Sequence, residues 1–282
     1  MGINGKYIRT CILIVFVGLT AGAQAQWLNT RDSGAPRTKD GKTNLTAPAP
    51  RASSGKPDLS GVWQGEGAPI SELMRILPGG ANGLGEDPPP LSFFNVLAAY
   101  KAEESPLRPE LRPEYEKRAA VALITPPPAL CAPPPLPLVD SLPAPFKIVQ
   151  TPKLTLMLFE SDTIFRQIFT DGRNHPDDPQ PSWLGYSVGK WVGDSLVVET
   201  VGLLPFAPLD MLGHPHSEAL RVTEQFHRRD FGHMDVQVTI DDPKTYTKPF
   251  TYKIGMYLLP DTDLLENFCT EDEKDAAHMA KK

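Results

Sequence analysis

From Phe146 onward the chain alternates apolar and polar residues in short runs set apart by turn residues, the period-two pattern of half-buried strands. The pattern predicts strands at 146–151, 154–160, 163–170, 185–192, 195–202, 219–229, 233–241 and 250–259, with one more at 59–65. In 233–241, Met234, Val236, Val238 and Ile240 share one face while Asp235, Gln237, Thr239 and Asp241 share the other. Gly193-Asp194 has the spacing of a two-residue hairpin loop, and Asp230-Phe231-Gly232 and Ser161-Asp162 read as further tight connections. Long helical crossovers are missing, so the sheet is expected to be antiparallel throughout. The expected fold class is all-β: an up-and-down barrel with a small helical insertion after the first strand. A sandwich is the competing arrangement, because strand count alone does not separate the two.

Between the first strand and Phe146 the pattern breaks. Residues 66–145 read as an insertion, with short helices at 70–77 and 92–104 and a better one at 112–123, where Pro113, Glu114 and Glu116 suit a helix N-terminus. Nine prolines between Pro126 and Pro145 rule out a central strand or a helix there, and the stretch is expected to be an extended surface crossover. Residues 26–56 are polar and rich in Gly, Pro, Ser and Thr, which predicts a disordered tether ahead of one barrel domain over 57–278.

Ahead of the tether, Lys6 and Arg9 precede an apolar stretch from Cys11 to Ala23, and Ala23-Gln24-Ala25 supplies a small-x-small cleavage pattern. Residues 1–25 are therefore expected to be a signal peptide, and the destination periplasmic or secreted. The stretch falls short of the roughly 20 residues a membrane helix needs, and no later apolar run is long enough to span. Loss of Lys6 and Arg9 moves the formal charge from −6 to −8, and the acidic balance without a basic cluster excludes a nucleic-acid or anionic-membrane partner. Cys131 and Cys269 then remain, an even number in an oxidising compartment, so a disulfide between them is expected. On chain-entropy grounds it would contribute at most about 4–5 kcal/mol.

Several segments resemble an uncharacterised family of exported bacterial proteins: PDLSGVW (57–63), Cys131 with its following prolines, DGRNHP (171–176), WLGYSVGKWVGDSLVVET (183–200), VTIDDPKTYTKPFT (238–251) and CTEDEKD (269–275). The resemblance covers most of residues 57–278, with departures at Val192 and Asp272. It implies a calycin-like barrel, and Gly61-Val62-Trp63 resembles the Gly-x-Trp of the opening strand of lipocalins. It implies no particular activity.

Candidate chemistry centres on strand 219–229, where Leu220, Val222, Glu224, Phe226 and Arg228 share a face, so Glu224 is expected to point inward. A buried carboxylate needs a cationic partner, a raised pKa or a wet cavity, and Arg166, flanked by Ile164 and Ile168 on its own face, is the natural partner. The pair reads either as a structural bridge or as the polar anchor of a ligand cavity. Arg173 and His175 follow a strand in DGRNHP, which is either a turn or a barrel-mouth site that meets an anion or moves a proton. Trp183, Tyr186 and Trp191 either wall a pocket or fill the core.

His214, His216 and Glu218 alternate as strand-borne metal ligands do, with His233 or His175 as further donors, but Pro215 marks a loop, so a polar rim with His216 exposed to ligand is expected and no metal. No G-x-S-x-G, H-E-x-x-H, Gly-rich phosphate loop or C-x-x-C occurs, so no cofactor is expected. The leading expectation is a barrel binding a small, largely apolar molecule in its interior. The alternatives are a cofactor-independent hydrolase, lyase or isomerase using Glu224, His175 or His216, and a structural or partner-binding protein of open oligomeric state.

Overall fold

The computed structural model describes residues 30–66, 95–122, 132–142 and 144–268. Nine strands follow one another around a closed barrel in chain order. They are β1 (Gly61–Gly65), β2 (Phe146–Gln150), β3 (Leu154–Phe159), β4 (Phe165–Phe169), β5 (Tyr186–Val192), β6 (Ser195–Val201), β7 (Arg221–Arg228), β8 (His233–Asp241) and β9 (Phe250–Leu258). β1 closes the ring, pairing Trp63 with Phe146 of β2 on one side and with Leu258 of β9 on the other. Closure excludes a sandwich and leaves no free edge among the described barrel strands.

The pairings are antiparallel except β4 with β5, which run parallel with Ile168 opposite Ser187 and Phe169 opposite Val188. This corrects the expectation of an antiparallel sheet throughout. Residues 170–185 carry the chain back along the outside of the barrel before β5 begins, held there by Ser182 N donating to Gly202 O at 3.0 Å and by a Ser182–Leu203 bridge. A parallel pair needs a crossover of about a dozen residues or more. The length was present in the sequence, but no helix announced it.

Alternation along each strand sets what is buried. In β7, Val222, Glu224, Phe226 and Arg228 are buried while Arg221, Gln225 and His227 are exposed. Met234, Val236, Val238 and Ile240 of β8 are all fully enclosed, as their shared face predicts.

The mouth formed by the β2–β3, β5–β6 and β7–β8 turns is sealed by residues expected to be a disordered tether, and that expectation is corrected for residues 30–56. Phe231 N donates to Ala47 O and Gly232 N to Leu45 O, both at 2.7 Å. Arg37 forks onto Asp261 at 2.6 and 2.7 Å, and Arg51 onto Asp194 at 2.7 and 3.0 Å. The segment has little apolar surface, yet a surface already folded can order it by satisfying its backbone and its charges. Gly232 makes the close approach possible, since a Cβ there would lie 2.5 Å from Leu45 Cβ and 2.9 Å from Leu45 O. Beneath this strap Trp63 is wholly buried, its Nε1–H donating to Leu59 O at 2.9 Å, and the Arg228 guanidinium lies 4.8 Å from its ring centre.

The opposite mouth is covered by parts of the insertion together with residues 203–220 and 242–249. Helix α1 (Arg112–Ala122) forms where Pro113 and Glu114 predict its start. The helix expected at 92–104 is corrected to turns over 95–100 and one 3-10 turn at Ala102–Glu104. Its first backbone donors are taken by side chains, Leu97 N by Asn95 Oδ1 and Val96 N by Asp210 Oδ2, each at 2.9 Å.

The Pro-rich stretch is likewise not a surface crossover where it is described. Leu136, Leu138, Val139 and Asp140 are at most 2 % exposed, and a short helix α2 (Leu138–Ser141) sits in the barrel mouth against Gly65, where a Cβ would lie 3.1 Å from Leu142 O. Proline has no donor to leave unpaired, so burying such a chain costs less than its composition implies. The signal segment, the helix expected at 70–77, Cys131 and Cys269 lie outside the described residues. No helix among the described residues is long and apolar enough to cross a membrane.

Candidate functional site

Register builds a polar layer inside the barrel from successive strands. Arg166 of β4 projects inward between Ile168 and the β3 residue opposite it, Met157, while Ser187 of β5 pairs with Thr200 of β6 and Glu224 of β7 lies opposite Val198. Arg166 Nε donates to Ser187 Oγ at 3.1 Å, Nη2 to Thr200 Oγ1 at 3.0 Å and Nη1 to Glu224 Oε1 at 3.2 Å, with a second, shorter contact from Nη2 to Glu224 Oε2. From the α2 plug Asp140 Oδ2 takes another Nη1 bond at 3.0 Å. Arg166 and Glu224, expected as partners, are thus brought together, and both are enclosed by protein. Asp140 was missed, because a Pro-rich stretch gives no sign of entering a barrel.

One guanidinium cannot neutralise two buried carboxylates, and the strain falls on Asp140. Burial, and then the charge of Glu224, push the Asp140 carboxyl well above the usual range, against the pull of Arg166. Its Oδ1 accepts no hydrogen bond among the described residues, whereas a protonated Asp140 can donate to Glu224. A raised folded pKa means that the protonated group contributes stability at pH below its unfolded value, and that this contribution is lost as pH rises through the folded one. Asp140→Asn keeps the neutral shape and a donor for Glu224. Urea midpoints of the variant are therefore expected to match the natural protein at low pH and to exceed it at high pH. A variant destabilised at every pH would contradict a protonated Asp140.

Other residues singled out in the sequence are scattered. Arg173 is exposed, chelated by Asp171, 3.9 Å from the Phe169 ring centre, and donates from Nη1 to Tyr186 Oη at 3.2 Å. His175 donates from Nε2 to Glu199 O at 2.9 Å, beside an outer cleft of about 620 Å³. Both are on the outside, away from Glu224. Tyr186 is on the outer face of β5 and Trp191 on the inner, while Trp183 precedes the strand and meets Phe206 edge-on at 5.7 Å, so the three aromatics form no common wall. His216 is buried with Nδ1 donating to Ser217 O at 2.9 Å, and burial lowers its pKa, so it is not a rim residue. His214 and His216 engage different partners, and no cluster of three or more His, Cys, Asp or Glu side chains among the described residues could hold a metal.

Three clefts, of about 620, 300 and 460 Å³, are lined by residues other than Arg166, Asp140 and Glu224. One of them, of about 300 Å³, lies in the cap over the plugged mouth. Leu97, Tyr100, Leu107, Tyr115 and Leu212 supply apolar wall, and Lys101, Arg112 and Glu116 are the charges at its sides.

The wall also holds a dyad. Asp210 is fully buried, with Oδ1 accepting from Leu212 N (3.0 Å) and His214 N (3.2 Å). Its Oδ2 accepts from Val96 N (2.9 Å) and from His214 Nδ1 (2.6 Å). A carboxylate with these donors only accepts, so Nδ1 carries the proton and Nε2 the lone pair. Tyr115 of α1 stacks on the imidazole at 4.4 Å between ring centres. Asp210 passed unnoticed in the sequence, since an i,i+4 Asp–His spacing in a Pro- and Gly-rich loop is common, and only the fold brings α1 and Val96 to it.

These features define a closed β-barrel with both mouths covered, a charge-filled interior and a separate aromatic-lined cleft in one cap. No protein-family profile matches the chain, and no curated protein matches it.

Proposed function

We propose that the protein binds a small, largely apolar molecule, and that it does so in the cap cleft instead of the barrel interior. The observation that carries this reading is the 300 Å³ space between Tyr100, Leu107, Tyr115 and Leu212, of the size and lining that small-molecule sites have. The interior is already occupied by the Asp140–Arg166–Glu224 network, where a ligand would have to displace hydrogen bonds it cannot replace. Export to the periplasm or beyond, with cleavage before Gln26 and a Cys131–Cys269 disulfide, belongs to the same proposal and rests on the signal pattern and the family resemblance. Ligand-observed NMR with monocyclic aromatic ethers and esters, 4-nitroanisole among them, tests the site. Tyr100→Ala is expected to weaken binding about tenfold, and binding that Tyr100→Ala leaves unchanged would refute this placement.

A further inference from the structure

We propose that the cap cleft is a hydrolytic site in which His214, held by Asp210, is the general base for water attacking a small carboxylic ester. The inference rests on the binding reading above, since the ester must occupy that cleft.

Three observations carry it. First, Asp210 is satisfied by three backbone N–H groups and the Nδ1–H of His214, so both the position and the tautomer of the imidazole are set. Second, His214 lines the cleft, and its lone-pair nitrogen Nε2 is engaged by no hydrogen bond among the described residues. The 209–214 turn is already closed by backbone bonds, Leu209 N on His214 O at 2.9 Å and Gly213 N on Asp210 O at 3.1 Å, so it does not depend on the imidazole alone. Third, the same cleft combines an apolar wall for an acyl or aryl group with two cations, Lys101 and Arg112, against one carboxylate, Glu116. That net positive side suits the oxyanion of an ester's tetrahedral intermediate. Ser105 also lines the cleft, but among the described residues its Oγ accepts from Leu107 N at 3.3 Å and does not engage His214, so the nucleophile is assigned to water.

The chemistry balances without a cofactor. Nε2 takes a proton from water as the water oxygen bonds to the carbonyl carbon, and the carbonyl π pair moves onto oxygen facing Lys101. Collapse of that intermediate restores the carbonyl and breaks the bond to the alkoxy oxygen, which leaves with the electron pair. The imidazolium then returns its proton to that oxygen or to solvent, giving acid and alcohol. Asp210 stabilises the imidazolium in between. The charged groups facing His214 are Asp210 beside it and Lys101, Arg112 and Glu116 across the cleft, with the Tyr115 ring stacked on the imidazole.

The test uses the purified chain with 4-nitrophenyl acetate as substrate and 4-nitroanisole as the uncleavable binding probe. Saturable nitrophenolate release is expected, falling about 100-fold or more in His214→Gln with 4-nitroanisole still bound. Asp210→Asn is expected to lower kcat and move the pH profile, and the exposed, remote His227→Ala to change neither. Non-saturable release, or full turnover in a folded His214→Gln, overturns the proposal. Binding of 4-nitroanisole without any turnover overturns it while leaving the binding reading intact, and absence of binding in the folded protein removes both. If the dyad variants do not fold, Lys101→Ala decides: an unchanged kcat counts against the site, and a reduced kcat at similar KM supports it.

Discussion

Arg166→Met is expected to destabilise the protein by about 3–5 kcal/mol, the cost typical of removing one member of a buried ion pair. Methionine fills much of the volume, so the loss does not come from a cavity. It comes from Glu224, which would be left at 0 % exposure with no cation beside it, and from Ser187 and Thr200, which would lose the guanidinium they accept from. Arg166→Met combined with Glu224→Leu and Asp140→Leu removes every charge of the network, and apolar replacement of buried ion pairs is commonly neutral or better. The triple variant is expected to recover most of the loss in urea-melt midpoints. A single variant costing under about 1 kcal/mol would mean that water already reaches the network.

Trp63→Ala should cost a similar amount, about 3–5 kcal/mol, by leaving a cavity in the sealed mouth. Its consequences extend beyond the indole. Arg228 is 4 % exposed and donates to the carbonyls of Asp58, Ser60, Asp230 and Phe231, with Trp63 and Phe231 presenting their rings to it. Burial already lowers its pKa to about 10. Without the indole this cation has less to hold it in place, and the strap, whose Ala47 and Leu45 carbonyls accept from Phe231 N and Gly232 N of the same turn, is expected to exchange its amides faster. Trp63→Phe keeps most of the packing but strands Leu59 O, so about 1–2 kcal/mol is expected. Hydrogen exchange read at Leu45 to Ser60 in both variants separates the two effects. Unchanged strap protection in Trp63→Ala would break the link between the indole and the seal.

Both results bear on function, because they concern what fills and closes the barrel. The interior is committed to its own charges and residues 30–59 cover the turn-side mouth, and the proposed binding cleft lies in the cap over the other mouth. The polar layer is then part of the floor beneath that cap, through α2 and Asp140.

The chain's local pattern determined more than its class. Period-two alternation located all nine strands and put Val222, Glu224, Phe226 and Arg228 on one face, because side chains of a strand can go only to one side or the other. The inward Glu224, and Arg166 as its partner, were legible for the same reason: a charge flanked by apolar neighbours on its own face must be buried with them. Helix α1 was legible from its start residues.

Tertiary structure alone decided what depends on neighbours remote in sequence. The parallel β4–β5 pair depends on the outside path of residues 170–185. Order in residues 30–56 depends on backbone N–H groups of Phe231 and Gly232 and on the carboxylates of Asp194 and Asp261, all far along the chain, which composition does not register. Asp140 became the third member of the charge network only because a plug of low backbone-donor demand reached into the mouth. Likewise, Asp210 and His214 met Val96 and Tyr115 of α1 only through the tertiary fold. Alternation is enforced by each residue's own bonds, whereas these contacts are selected by the packed whole, where a buried donor or charge must find whichever partner the fold delivers.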